Sequence, residues 1–318
     1  MGNLIFSLDA TLPVFLLIVL GCALRKAGAV SEELAAGMNS FAFRVSIPSL
    51  LFMDLAVVDF RQAWDARFVG FCFVVTLACI AVAGLLSLAV ARPAQRGEFI
   101  QASYRSSAAL LGIAFIGNIY GTSGMASLMI VGSVPLYNVA AVVLLEVLRP
   151  QGSGGVGVGG TALFKRAAKG VVTNPILLSI AAGVAWSLLG LPVPAFAGKT
   201  LEMLGATAAP MGLVAMGALV SPQGARSTLR PALAACVCKL VGFAALALPF
   251  AVYAGFRGEQ LVAILVMLGS ATTVAAFTMA KGMGHQGSLT STAVAATTLL
   301  SPVTLAVWLF VLRTFALI

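Results

Sequence analysis

Apolar runs of about 20 residues, the length that carries a helix across a bilayer core, follow one another along this chain with only short connections between them. Ten can be drawn, at 4–24, 33–53, 67–91, 99–120, 125–148, 171–190, 200–220, 230–254, 259–281 and 288–315. Hydrocarbon offers a backbone no hydrogen-bond partners, so such a chain is expected to fold as an all-α integral membrane protein of ten transmembrane helices. A water-soluble domain is excluded, because 60% of the residues are hydrophobic and only 9% charged, too few to cover a wet surface. The connections leave no room for a separate domain, so the function has to lie within the membrane.

A net charge of +9 would suit nucleic acid if the basic residues formed a patch, but they follow loop parity instead. Arg25 and Lys26 follow the first run, Arg92 and Arg96 the third, and Arg149, Lys165, Arg166 and Lys169 the fifth. Arg226 and Arg230 follow the seventh, and Lys281 closes the ninth, whereas the opposite side has only Arg61, Arg67, Lys199, Arg257 and Arg313. The positive-inside rule then puts both termini outside a cell inner membrane and 149–169 in the cytoplasm. The first run lacks a basic leader and is read as a retained span. Cys22, Cys72, Cys79, Cys236 and Cys238 all fall inside runs with no metal-ligand spacing, so neither metal nor cofactor is expected.

The chain repeats itself. Pro13 and Pro48 are followed 162 residues later by Pro175 and Pro210, and Arg96-Gly-Glu98 returns as Arg257-Gly-Glu259. Two halves follow, 1–149 and 170–318, joined by a glycine-rich linker at 150–169. Five spans per half is an odd number, so the second half enters the membrane from the opposite face. That is the 5+5 inverted repeat of secondary transporters, whose sites lie near mid-membrane where broken helices meet.

Within the fourth run, Ser103 to Gly124 carries Arg105, paired Ser106 and Ser107, interior glycines and an asparagine. Charge and hydroxyls at membrane depth are costly and mark transport pathways, while small residues can equally serve helix packing and an arginine near a helix end can snorkel. The matching ninth run holds Ser270, Thr272 and Thr273. Arg44 and Lys239 are read as interfacial or interhelical.

These features resemble the auxin efflux carrier family, which includes bacterial malonate-carrier-like proteins and the plant PIN carriers. The resemblance covers nearly the whole chain. It is carried by Gly112-Ile-Ala-Phe-Ile116, Tyr120-Gly121, Val134-Pro-Leu-Tyr-Asn138, Thr173-Asn-Pro175, Leu189-Gly-Leu-Pro192, Ala280-Lys281 and Ser291-Thr-Ala-Val294. It implies that spans 4 and 9 are broken and cross, and that a scaffold of spans 1, 2, 6 and 7 stands beside a moving domain of spans 3–5 and 8–10. A plant asparagine that contacts the substrate carboxylate falls on Ser107, and the crossover prolines fall on Ala114 and Ala271. Arg105, Ser106, Ser107, Gly112, Asn138, Ser270, Thr272 and Thr273 are therefore the candidate substrate-binding residues.

The expected function is elevator-type export of a small organic anion. Its partners are that anion and the lipid bilayer, with a homodimer left open and nucleic acid excluded. A cation-coupled importer of dicarboxylate or bile-acid-like anions is the alternative. An enzyme is not expected: Gly121-Thr-Ser-Gly124 matches the serine motif of intramembrane proteases, but Ser123 and His285 fall on opposite membrane faces by loop charge. All ten acidic residues fall at run ends or in connections, which leaves no mid-membrane proton relay.

Overall fold

The computed structural model describes residues 13, 16–57, 65–108, 116, 119–120, 124–150, 173–219 and 222–318. Helix α1 occupies 16–26, and α2 (Glu32–Phe41) runs through a π-turn at Ala42–Ser46 into α3 (Ile47–Ala56). Next come α4 (Ala66–Val90), α5 (Arg96–Tyr104), α6 (Gly124–Val147) and α7 (Pro175–Leu189). The short pair α8 (Ala195–Ala206) and α9 (Ala208–Leu219) follows, and α10 (Pro222–Val237) then passes through a π-turn at Cys238–Gly242 into α11 (Phe243–Tyr253). The chain closes with α12 (Gly258–Gly269), α13 (Val274–Gly282) and α14 (Ser288–Thr314). Among the described residues there is no β-strand, and five helical stretches are long and apolar enough to cross a membrane.

Local chemistry sets the helix ends. Asp65 caps α4 by accepting from the Arg67 and Phe68 amides at 3.1 and 3.0 Å, and Ser31 caps α2 from the Leu34 amide at 3.0 Å. Asn174 caps α7 at Ile176, Pro175 opens it without needing a donor, and Gly190 closes it at φ 65°.

Helix α3 lies on α7 and α8 while α2 lies on α9; α4, α5, α6, α10, α11, α12, α13 and α14 pack together, and α13 also packs on α9. Where α1 meets α9, the backbones approach without side chains between them. A Cβ on Gly21 would collide with the Val214 carbonyl, and one on Gly217 with the Ile18 carbonyl. With no hydrophobic drive between helices in lipid, such close approach is a main source of adhesion. Phe73, Val74, Leu85 and Leu88 of α4, Phe250 of α11 and Phe310 of α14 point outward, as bilayer-facing side chains must.

The fourth run leaves helical geometry after Tyr104. Helix α5 stops at Tyr104, and Arg105 is extended at φ −80°, ψ 119°. Ala114 lies outside the described residues, and the segment that meets Ala271 is Ser106-Ser107. The Ser106 hydroxyl turns away from its own helix and donates to the Met267 carbonyl of α12.

Candidate functional site

Helix α12 also breaks, at Ser270 (φ −75°, ψ 164°), and resumes after Thr273 (φ −68°, ψ 144°). The two extended stretches cross and pair: Ser106 and Thr272 form an antiparallel bridge, and the Ser107 amide donates to the Ala271 carbonyl at 2.9 Å. Side chains lock the crossing. The Thr272 hydroxyl donates to the Ala102 carbonyl at 2.8 Å, while the Thr272 amide donates to the Thr297 hydroxyl at 3.0 Å. Gln101 Nε2 reaches the Ala276 carbonyl at 2.7 Å, which ties α5 to α13.

Two buried cations meet here. Arg105, 4% exposed, donates to Asn138 Oδ1 of α6, to Gln101 Oε1 at 3.5 Å, and to the Met279 thioether. All three acceptors are uncharged. A guanidinium has five N–H donors, so Arg105 retains donors beyond these three contacts.

Lys239, fully buried on the second π-turn, donates to the Leu268 carbonyl at 2.7 Å, to the Met267 and Tyr104 carbonyls at 3.4 and 3.5 Å, and to the Ser106 hydroxyl. Tyr104 ends α5, and Met267 and Leu268 belong to the last turn of α12. One ammonium therefore sits on the negative ends of both broken helices. Ser106 passes the bond on by donating to the Met267 carbonyl, which also accepts from Tyr137 at 3.2 Å.

Among the described residues no carboxylate forms an ion pair with either cation. Among the described residues the buried acidic side chain is Glu98, and it accepts from the Gly287 and Thr290 amides at 3.0 and 3.1 Å and from the Thr290 hydroxyl at 2.8 Å. Its charge is committed to the start of α14.

The expected site residues thus come together in part. Arg105, Ser106, Ser107, Asn138, Ser270, Thr272 and Thr273 gather at or beside the crossing, and Ser270 Oγ is buried without a partner among the described residues. Gly112 and Ser123 lie outside the described residues. His285 is buried away from the crossing, where Nε2 faces the Leu145 carbonyl at 2.9 Å. Gln101 and Tyr137 were not among the expected site residues, and Lys239, read as interfacial or interhelical, is interhelical. The signal that separates the two is depth: Lys239 stands nine residues into its apolar run, about 14 Å along a helix, which is far to snorkel.

A separate cavity of ≈ 420 Å³ lies where the π-turn at Ala42–Ser46, the end of α6, the start of α7 and the end of α13 meet, lined by Phe43, Arg44, Glu146, Arg149, Asn174 and Gly282 among others. There the Phe43 ring fills the space that a Cβ on Gly282 would need, at 2.7 Å.

The sequence model of a family described as membrane transport protein matches residues 6–156 and 161–309. The chain is a membrane transport protein of the auxin efflux carrier family. This transporter is 25% identical over 317 residues to a protein described as an uncharacterized transporter from Methanothermobacter thermautotrophicus, with 96% of this chain and 98% of the relative covered. In structure the transporter is similar to the sodium proton antiporter MjNhaP1 from Methanocaldococcus jannaschii, with a TM-score of 0.58 at 12% identity over 95% of this chain and 97% of that one. The likeness shows that the transporter shares the antiporter's fold, and fold alone fixes no substrate.

Proposed function

We propose that the transporter is a secondary carrier that exports a small organic anion, a carboxylate, by elevator-type alternating access across the cell inner membrane. The observation that carries this reading is Arg105, a buried guanidinium beside the crossed breaks with uncharged partners and donors to spare. A charge left uncompensated in a low-dielectric interior attracts a counter-ion, and a carboxylate matches the guanidinium fork. Ser107 and Thr273, half-buried on the extended stretches, would add hydroxyl donors to the bound anion.

The group built from α4–α6 and α10–α14 is the moving body, and the group of α2, α3 and α7–α9, joined through α9 by α1, is the scaffold. Loop charge sets the ends of α6 and α13 in the cytoplasm. Export of a monovalent anion then runs with the membrane potential, which supplies about 2.3 kcal/mol per 100 mV, roughly a 50-fold gradient. No protein-borne proton site is required.

The test is transport of labelled malonate, benzoate and indole-3-acetate in proteoliposomes, with potential, pH and sodium gradients imposed one at a time. Movement driven by potential alone is expected for at least one probe. Accumulation driven by sodium or protons but not by potential would refute the export mechanism, and preference for matched uncharged amides would refute the anion.

A further inference from the structure

We propose that the cavity between the two helix groups is a second, cytoplasm-facing binding site for the carried carboxylate, occupied before the anion reaches the crossed breaks. The proposal rests on the reading of the transporter as an organic-anion carrier. Its volume of ≈ 420 Å³ is ample for a small organic acid.

Its walls are built for an anion. Arg44 stands exposed on the π-turn at Ala42–Ser46, which belongs to one helix group, and Arg149 follows α6 in the other. Neither guanidinium has a hydrogen bond or ion pair among the described residues, where the salt bridge present is Arg25–Glu32. Arg149 lies beside the turn after α13. Its guanidinium lies against Gly284, which has φ +87°, and a Cβ there would come within 3.1 Å of it.

Asn174 is the third element, only 6% exposed and lining the same cavity. Its Oδ1 is spent on the Ile176 amide at 2.9 Å, which leaves the side-chain NH₂ without a partner among the described residues at the positive end of α7. Against two guanidiniums stands one carboxylate, Glu146, so the lining is net positive. The cavity beyond the other end of α7, of ≈ 660 Å³, is lined by one Lys199 and one Glu202 among apolar residues and has no such excess. Anion capture is therefore one-sided.

Two planar forks with an amide NH₂ suit a carboxylate, which both guanidiniums can engage in bidentate fashion. Because the arginines come from different groups, an anion held between them bridges the seam. The seam has to part when the moving body shifts, so the ligand passes inward rather than remaining.

The experiment compares the half-saturating concentration of malonate, benzoate and indole-3-acetate at each face, in right-side-out and inverted vesicles containing the full-length protein. Arg44→Gln and Arg149→Gln should each raise it about tenfold at the cytoplasmic face and leave the outer face unchanged, as expected for loss of one charge-assisted contact. Arg44→Lys should recover part of the loss. The unchanged outer face serves as the control for folding.

A wild type that carries none of the probes overturns the carrier reading and this site with it. A wild type that carries one, with both variants unaltered or equally impaired at both faces, overturns this site alone. A lipid phosphate could engage the same arginines. If the shift disappears when phosphatidylglycerol is replaced by phosphatidylcholine, the cavity holds a headgroup and the substrate site is refuted.

Discussion

Replacing Lys239 by alanine removes the ammonium at which both broken helices end. Of its acceptors, the Met267 carbonyl keeps Ser106 and Tyr137 as donors, so the uncompensated losses fall on the Leu268 carbonyl at 2.7 Å and the Tyr104 carbonyl at 3.5 Å. A hydrogen bond from a charged donor contributes about 1.5–3 kcal/mol, and the longer contact belongs at or below the low end. Removing the ammonium also recovers the cost of burying it, several kcal/mol, which taken alone would offset the loss. What decides the sign is the pair of helix ends, each carrying roughly half a negative charge, which then face each other without a cation.

The expected net cost is about 3 kcal/mol, a fall in melting temperature of roughly 5–10 °C. The truncation also leaves a nest of three carbonyls and the Ser106 hydroxyl where the ammonium stood. Sodium suits such a nest at broken helices, and at 100 times its dissociation constant it would restore about 2.7 kcal/mol. The assay is thermal unfolding of the detergent-solubilised protein in choline chloride and in sodium chloride. Wild type should melt alike in both, and Lys239→Ala should melt low in choline and recover in sodium. If the variant melts with wild type in choline, the ammonium does not hold the crossing together.

Asn138→Asp sets a carboxylate against Arg105, so anion affinity should drop at least about tenfold without loss of thermal stability; unchanged equilibrium binding of labelled carboxylate would remove Arg105 as the anchor. Ser107→Val keeps the backbone bond to Ala271 and suits extended backbone, so binding alone should weaken, by about 5- to 30-fold. Thr272→Val instead removes the bond to Ala102 and should lower the melting transition as well, by about 1 kcal/mol; the two variants separate in paired melting and binding measurements, and identical behaviour would contradict the assigned roles. Gly217→Val drives a side chain into the Ile18 carbonyl and should cost about 3 kcal/mol, read as loss of monodisperse protein in gel filtration.

Hydropathy made the membrane class and many of the helices legible, because burial in lipid demands long apolar runs whatever the fold. The crossing was legible in Arg105, Ser106, Ser107, Thr272 and Thr273, where charge and hydroxyls interrupt such runs. Ala114 lies outside the described residues, and the pairing that is described joins Ser106 and Ser107 to Thr272 and Ala271. Lys239 read as either interfacial or interhelical, and only the π-turn and the facing carbonyls decide for the second. The Arg44–Arg149 cavity had no signature at all. Its parts are about a hundred residues apart and meet only through packing.

The Phe43 ring resting on Gly282 gives the molecule something like a detent. Phe43 belongs to the group proposed to stand still and Gly282 to the one proposed to move, so each cycle must lift the ring from a seat that only the smallest residue provides. Alanine at 282 would fill the seat and bias the resting position, changing how long the protein dwells facing each side without touching its affinity for any ligand. Turnover would then be timed by the release of one aromatic ring, at a place where no substrate chemistry occurs.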